Sequence, residues 1–306
     1  MNRERIIFLF GPTASGKTEL ACRLAEGIGE IISVDSMQVY REMDLGTAKP
    51  TRDQRSRVAH HLIDIVPPDG GFSAGDFRRL ALKAIEEVQR RGGVPFLVGG
   101  TGLYFRALEY DLLDAPPGDF AVRRTLYRLE EERPGALHER LSRIDPETAG
   151  RLHPNDLVRI ARALEIVHQA GKRLSDLVLE EKVRTLAPLK IGISMERDRL
   201  YERIEQRCSQ MVFSGLPQEV RRLLHMGCTE ENPSMKGLGY SHYIQFFKGC
   251  VSHEETVRRF IRDTRRYAKR QLTWFRGEKD AVWFRPDQFE AIKERVLSFI
   301  RKDSAY

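Results

Sequence analysis

Ile6-Ile7-Phe8-Leu9-Phe10 runs without a break into Gly11-Pro12-Thr13-Ala14-Ser15-Gly16-Lys17-Thr18, and this junction decides the fold. A short continuous apolar run ended by Gly-Pro reads as a strand buried on both faces. The eight residues after it match G-x-x-x-x-G-K-[ST] in full. Leu20, Ala21, Leu24 and Ala25 then recur at helical spacing, so the loop lies between a strand and a helix over 16–27. In that setting the backbone N–H groups of the loop and of the helix start point at an anion. Lys17 adds a mobile positive charge, and the Thr18 hydroxyl is a ligand for Mg²⁺. The pattern is a strong signal for phosphate but is not specific for ATP, because a diphosphate offers the same oxygens.

Downstream, the alternation continues. Ile31–Val34 reads as a second buried strand closing on Asp35, and His60–Ile65 as a weaker third. Ser73-x-x-Asp76 resembles a capping box opening a helix to about Arg91. Val94–Val98 is another apolar strand, ending in Gly99-Gly100-Thr101-Gly102. Strands alternating with helices predict an α/β fold, a P-loop NTPase-like parallel sheet flanked by helices, with ligands beyond the strands' carboxyl ends. After Asp114-Ala115-Pro116-Pro117-Gly118 the texture becomes wholly helical. The expected organisation is a core domain of residues 1–113 and 188–306 interrupted by a helical insertion domain, 114–187. Lys190–Ser194 returns as a strand, Arg197–Phe213 and Glu254–Arg276 as helices, Val282–Phe284 as a last strand, and 286–301 as a closing helix.

A length of 306 residues allows roughly two domains. At 41% hydrophobic and 31% charged residues the chain is ordinary globular material, which excludes wholesale disorder. Cysteines 22, 208, 228 and 250 form no C-x-x-C pair, so a zinc ribbon or redox dithiol is unsupported and a reducing cytoplasm is expected. No apolar run is long enough to span a bilayer. The formal charge is +7, and residues 258–279, with nine basic and two acidic side chains, carry as much by themselves. The insertion is neutral, with thirteen of each sign. Val257, Ile261, Thr264, Ala268, Leu272 and Phe275 form the expected core face of that basic helix. Its neighbouring face of Arg258, Arg262, Arg265, Lys269 and Arg276 suits a phosphate backbone, and Tyr267, Trp274 or Phe275 would stack on an unpaired base if exposed.

A nucleotide hydrolase needs an apolar strand ending in a metal-binding Asp. The strand at 94–98 ends in glycine, and only Ile31–Asp35 ends in an acid. Asp35 is therefore a candidate metal partner or base beside the phosphate, or else a carboxylate that orders its own loop. Thr101 is placed to donate to a phosphate oxygen or to cap the following helix. Arg199, Arg203 and Arg207 share one helix face, suited to a lid over a diphosphate or to plain solvation. His60 and His61 lack metal-ligand partners at helical spacing and read as structural.

GPTASGKT at 11–18, SVDSMQVY at 33–40, MDLGTAKP at 43–50, HHLIDIVPP at 60–68, FSAGDFRR at 72–79 and LVGGTGLYF at 97–105 together resemble the bacterial tRNA dimethylallyltransferase (tRNA isopentenyltransferase) family. HPNDLVRIARALE at 153–165, RIEQR at 203–207, GLGY at 237–240 and AKRQLTWFR at 268–276 continue the likeness in family order across almost the whole chain. The resemblance implies transfer of a dimethylallyl group from dimethylallyl diphosphate to N6 of adenosine 37, beside the tRNA anticodon, with release of diphosphate and help from Mg²⁺ held through Thr18. It implies that Gly11, Pro12, Thr13, Ala14, Ser15, Gly16, Lys17 and Thr18 cradle the diphosphate. Lys17, Thr101 and Arg207 would neutralise the leaving group, and Asp35 would take the amine proton. It implies tRNA contacts from Asp35, Ser36, Met37, Gln38, Thr101 and Arg123, and from the segment 158–162 with Arg159 and Arg162. Further contacts fall on Lys236, Gly237, Gly239 and Tyr240 and on Lys269, Arg270, Gln271, Trp274 and Arg276. A cytoplasmic monomer with the tRNA anticodon arm as partner, and with no membrane association, is expected. The competing readings are an isopentenyltransferase acting on free adenine nucleotides, an ATP-dependent small-molecule kinase, and a non-enzymatic RNA-binding protein.

Overall fold

The computed structural model describes residues 5–110, 115–178 and 184–302. The expected boundary at 113/114 falls on residues outside this set. Two compact units emerge, one of residues 1–109 and 186–306 and the other of 110–185.

The first unit is built on six parallel strands in the order β3-β2-β4-β1-β5-β6. They are β1 (Ile7–Phe10), β2 (Gly29–Val34), β3 (His60–His61), β4 (Val94–Gly99), β5 (Leu189–Ile193) and β6 (Val282–Phe284). Helices α1 (Lys17–Ala25), α2 (Arg52–Arg57), α3 (Ala74–Arg90) and α4 (Gly102–Glu109) connect the first strands. All four residues of β1 are buried because helices cover both faces. Ile7 and Leu9 pack into a core with α1 and the C-terminal helix, while Phe8 and Phe10 pack with α3 and α4. Each such fully buried side chain contributes roughly 1.5–3 kcal/mol. Ser73 and Asp76 form the reciprocal capping box that opens α3. The expected strand at 60–65 stops after His61, because Leu62 and Asp64 adopt φ values of 60° and 59°, which no strand accommodates.

In the second unit α5 (Phe120–Glu132), α6 (Ala136–Ile144), α7 (Pro146–Arg151), α8 (Leu157–Ala170) and α9 (Leu174–Val178) share a core of Leu126, Leu137, Leu141, Ile160, Ala163 and Leu164.

Returning to the first unit, α10 (Arg197–Phe213), α11 (Leu216–His225), α12 (Tyr240–Phe247), α13 (His253–Phe275) and α14 (Phe289–Lys302) complete the chain. Between the expected helices at 197–213 and 254–276, where no element is expected from sequence, α11 and α12 pack around Tyr240 and Tyr243. The buried stripe of α13 also differs from expectation. It runs Thr256, Phe260, Thr264, Ala268, Gln271 and Phe275, so Val257, Ile261 and Leu272 lie only at its flank. A glutamine takes a core position because both ends of its amide find partners, described below. Phe275 stacks on Phe10 with ring centroids 4.5 Å apart, fixing the end of α13 to the end of β1.

Candidate active site

Beyond the carboxyl ends of β1, β2 and β4 lies a cavity of about 580 Å³. The loop residues Thr13 to Thr18 line it, with Asp35 and Gln38 after β2, Gly99 and Gly100 after β4, Arg203 and Arg207 from α10, and Tyr267 and Gln271 from α13. Gly16 takes φ 89° and Ala14 φ 64° to wrap the loop. The latter conformation costs an alanine roughly 1–2 kcal/mol.

Three cations converge here. Lys17 Nζ donates to the Pro12 carbonyl at 2.6 Å and to Ser15 Oγ at 3.5 Å. Burial, then the Arg207 charge, pull its pKa down to about 7, against the raising effect of Asp35. Arg207 hydrogen-bonds the Thr13 hydroxyl, while its buried Nε has no partner among the described residues. Burial lowers its pKa as well. A Cβ added to Gly16 would lie 3.5 Å from Arg203 Nη2, so Arg203 closes over the loop. Arg199, by contrast, is exposed and outside the cavity lining. Buried cations with orphaned donors are costly unless an anion completes them. This is the chemistry of a site awaiting a polyphosphate.

Asp35 is the facing carboxylate. Its Oδ1 accepts from the N–H groups of Met37 (2.8 Å) and Gln38 (3.3 Å). It thus orders its own loop while lining the cavity, and the two roles coexist. Desolvation raises its pKa, opposed by those N–H donors, Lys17 and Arg207. Thr101 does not cap α4 with its side chain. Its hydroxyl accepts from Ser36 N at 3.1 Å and bonds Tyr267, tying the two loops together.

Gln271 is not a surface residue. Thr13 N donates to its Oε1 at 2.8 Å, and its Nε2 donates to the Gly100 carbonyl at 2.9 Å. A Cβ on Gly100 would sit 2.1 Å from that Nε2, and one on Gly102 2.2 Å from the Trp274 ring. Gly100 and Gly102 therefore let α13 approach closely, whereas a Cβ on Gly99 would meet the Val34 backbone of β2. Tyr267 is likewise drawn inward and is no free stacking ring.

Other expected contacts are also internal. Tyr240 is fully buried with its hydroxyl on Glu219. Its ring occupies the space a Cβ on Gly46 would take, and Gly237 is held against Met37. In the helical unit Arg123 and Arg162 both bind the fully buried Glu165, while Arg159 stays exposed with Asp156 at 3.3 Å. Among the cations of α13, Arg258 and Arg259 pair with Glu255, Arg262 and Arg266 with Asp263, and Arg265 with Glu205. Among the described residues no carboxylate pairs with Lys269, Arg270, Arg276 or Lys279. Sequence reasoning missed Glu219 and the inward roles of Gln271 and Tyr267. The glycine pair at 100 and 102 was the available signal for a close-packed partner.

No group of three or more His, Cys, Asp or Glu among the described residues could hold a metal ion. The Thr18 hydroxyl makes no hydrogen bond to a described residue and lines the cavity with Asp35. That hard-oxygen set fits a cation held mainly by phosphate oxygens and water. No helix among the described residues is long and apolar enough to cross a membrane.

A family model described as IPP transferase matches residues 38–278. The tRNA dimethylallyltransferase 2 of Geotalea uraniireducens is 48% identical over 300 residues, covering 96% of this chain and 97% of that one. The tRNA dimethylallyltransferase of Thermotoga maritima is 46% identical over 299 residues, covering 97% and 98%. Among solved structures, the tRNA isopentenylpyrophosphate transferase of Bacillus halodurans superposes with a TM-score of 0.73 at 40% identity, over 98% of both chains. A eukaryotic dimethylallyltransferase acting on tRNA does so at 0.78 and 27% identity, over 92% of this chain and 73% of that one. The chain belongs to the IPP transferase family, the family of the tRNA dimethylallyltransferases.

Proposed function

We propose that this protein transfers the dimethylallyl group of dimethylallyl diphosphate to N6 of adenosine 37 in tRNA and releases diphosphate. The observation that carries this reading is one cavity in which Lys17, Arg203 and Arg207 face Asp35. The cations suit a departing diphosphate and the carboxylate suits an incoming amine. The allylic C–O bond breaks with its electron pair going to the diphosphate, and the same carbon bonds N6. The N6 proton passes to Asp35, whose raised pKa strengthens it as a base. Lys17, Arg207 and the loop N–H groups stabilise charge that grows on the leaving oxygens. Mg²⁺, when bound through Thr18 and the diphosphate, would add further charge neutralisation. The target base must leave its stack to reach a cavity this recessed. Lys269 and Arg270 of α13, and Arg276 just past its end, have no carboxylate partner among the described residues and would hold the acceptor backbone.

The test is incubation with labelled dimethylallyl diphosphate and either tRNA or AMP, followed by mass analysis of the digested tRNA. The expected result is five added carbons on the adenosine 3′ of the anticodon. Label only in AMP would replace this reading with the free-nucleotide one, and phosphate transfer from ATP without prenylation would replace it with a kinase.

A further inference from the structure

Glu219 lies on α11, outside every recognisable motif, and is only 5% exposed. Among the described residues no cation is paired with it. Instead its carboxylate is filled by backbone donors. Asp44 N lies 3.0 Å from Oε2, Leu45 N 2.9 Å from Oε2 and 3.2 Å from Oε1, and Gly46 N 3.3 Å from Oε1. The Tyr240 hydroxyl completes the set at 2.6 Å from Oε1. Successive N–H groups closing on one carboxylate fix a loop's conformation firmly, since each donor would otherwise be left desolvated.

The loop so fixed is the one that holds Gln38. Gln38 Nε2 donates to the carbonyls of Thr47 (3.3 Å) and Ala48 (3.2 Å), and its Oε1 accepts from Ser33 Oγ at 2.8 Å. Gln38 N in turn donates to Asp35 Oδ1. A continuous set of bonds therefore runs from α11 to the reacting carboxylate and bypasses the phosphate loop. We propose that Glu219, supported by Tyr240, is a positioning residue that holds the 44–48 loop, and through Gln38 sets the orientation of Asp35 toward the acceptor amine. The inference rests on Asp35 being the base of the proposed reaction.

Glu219→Gln keeps the shape but turns an NH₂ toward backbone donors, so the loop loosens. The assay uses full-length protein, dimethylallyl diphosphate and unmodified tRNA. The expected outcome is a kcat lower by about ten- to a hundredfold, the cost of a misplaced reacting group, with KM for dimethylallyl diphosphate within about twofold. Calorimetry with inorganic diphosphate counts intact sites, and its stoichiometry should match the wild type. The acid limb of the kcat–pH profile should move up as Asp35 loses fixed N–H donors. The other groups facing Asp35, namely Lys17, Arg207, Tyr104 and Tyr267, are unchanged in the variant. Tyr240→Phe removes one bond and should shift the same readouts less, which keeps the test open if Glu219→Gln does not fold. Wild-type kcat and pH profile in a folded variant would overturn the inference, as would a loss that merely tracks missing diphosphate sites. Asp35→Ala, run in parallel, separates the two layers: near-normal turnover there would remove the base itself, whatever Glu219 does.

Discussion

The protein carries two cationic assemblies of opposite construction. Lys17, Arg203 and Arg207 are drawn into one cavity with Asp35 as the facing carboxylate. The nine basic residues of 258–279 lie largely exposed, and those in the first half of the run are paired to Glu255, Asp263 or Glu205. Burial makes the first set few, costly and specific for a compact polyanion. Exposure makes the second numerous, individually weak and sensitive to salt. The second dominates the net charge. The first contributes little to the total but holds the chemistry.

The comparison is broken most directly at Arg207. Arg207→Ala should lower kcat/KM for dimethylallyl diphosphate by about a hundred- to a thousandfold, as expected for one lost donor to a developing anion. Thermal stability without ligand should stay at or above wild type, because a desolvated cation with an orphaned Nε is removed. Stabilisation by saturating inorganic diphosphate should shrink sharply. A variant that loses basal stability but keeps kcat/KM would place Arg207 in the scaffold instead.

A smaller effect should divide α13 itself. Replacing Lys269, Arg270 and Arg276 together by Ala should weaken tRNA binding and reduce the slope of log K against log salt by about 2–3, near 0.9 per phosphate contact. Replacing Arg258, Arg259 and Arg262 should change the slope by less than about 1, because these residues are already engaged with Glu255 and Asp263. Equal slopes for the two triple variants, from filter binding over a salt series, would erase the distinction between the halves.

What could be read from residue order was local. The loop at 11–18 is contiguous and each of its parts has a fixed offset, so strand, turn, helix and ligand class followed together. The same holds for Ser73 and Asp76, three residues apart. Long-range partnerships were hidden. Gln271 meets Thr13 across 258 residues and Glu219 meets Leu45 across 174. Neither side chain advertises a buried amide or carboxylate, because what permits burial is a set of donors elsewhere in the chain. Tyr240 and Gln271 sit in distinctive stretches, and the structure shows their side chains bonded inward, Tyr240 to Glu219 and Gln271 to Thr13 and Gly100. The expected core face of α13 was right at Thr264, Ala268 and Phe275 but not at Val257, Ile261 and Leu272, since periodicity counts apolar residues and a satisfied glutamine occupied one of the positions.

The smallest expected effect concerns protons, and it sharpens the contrast between buried and exposed charge. Lys17 has its pKa lowered from 10.5 to about 7 by burial and by Arg207. A lowered amine pKa means that the unfolded chain binds more protons than the folded one between pH 7 and 10.5. The penalty for burying the charged amine is then complete below pH 7, and stability from this group rises as pH climbs through that window. A bound diphosphate reverses the balance, because its oxygens favour the charged ammonium. Binding inorganic diphosphate at pH 8 should therefore take up a substantial fraction of one proton into Lys17, detectable by calorimetry in two buffers of different ionisation enthalpy. Lys17→Met should abolish that uptake, whereas Lys269→Met should leave it intact, since Lys269 is exposed on α13 and does not line the cavity. Equal uptake in wild type and Lys17→Met would show that the proton is not taken up by Lys17.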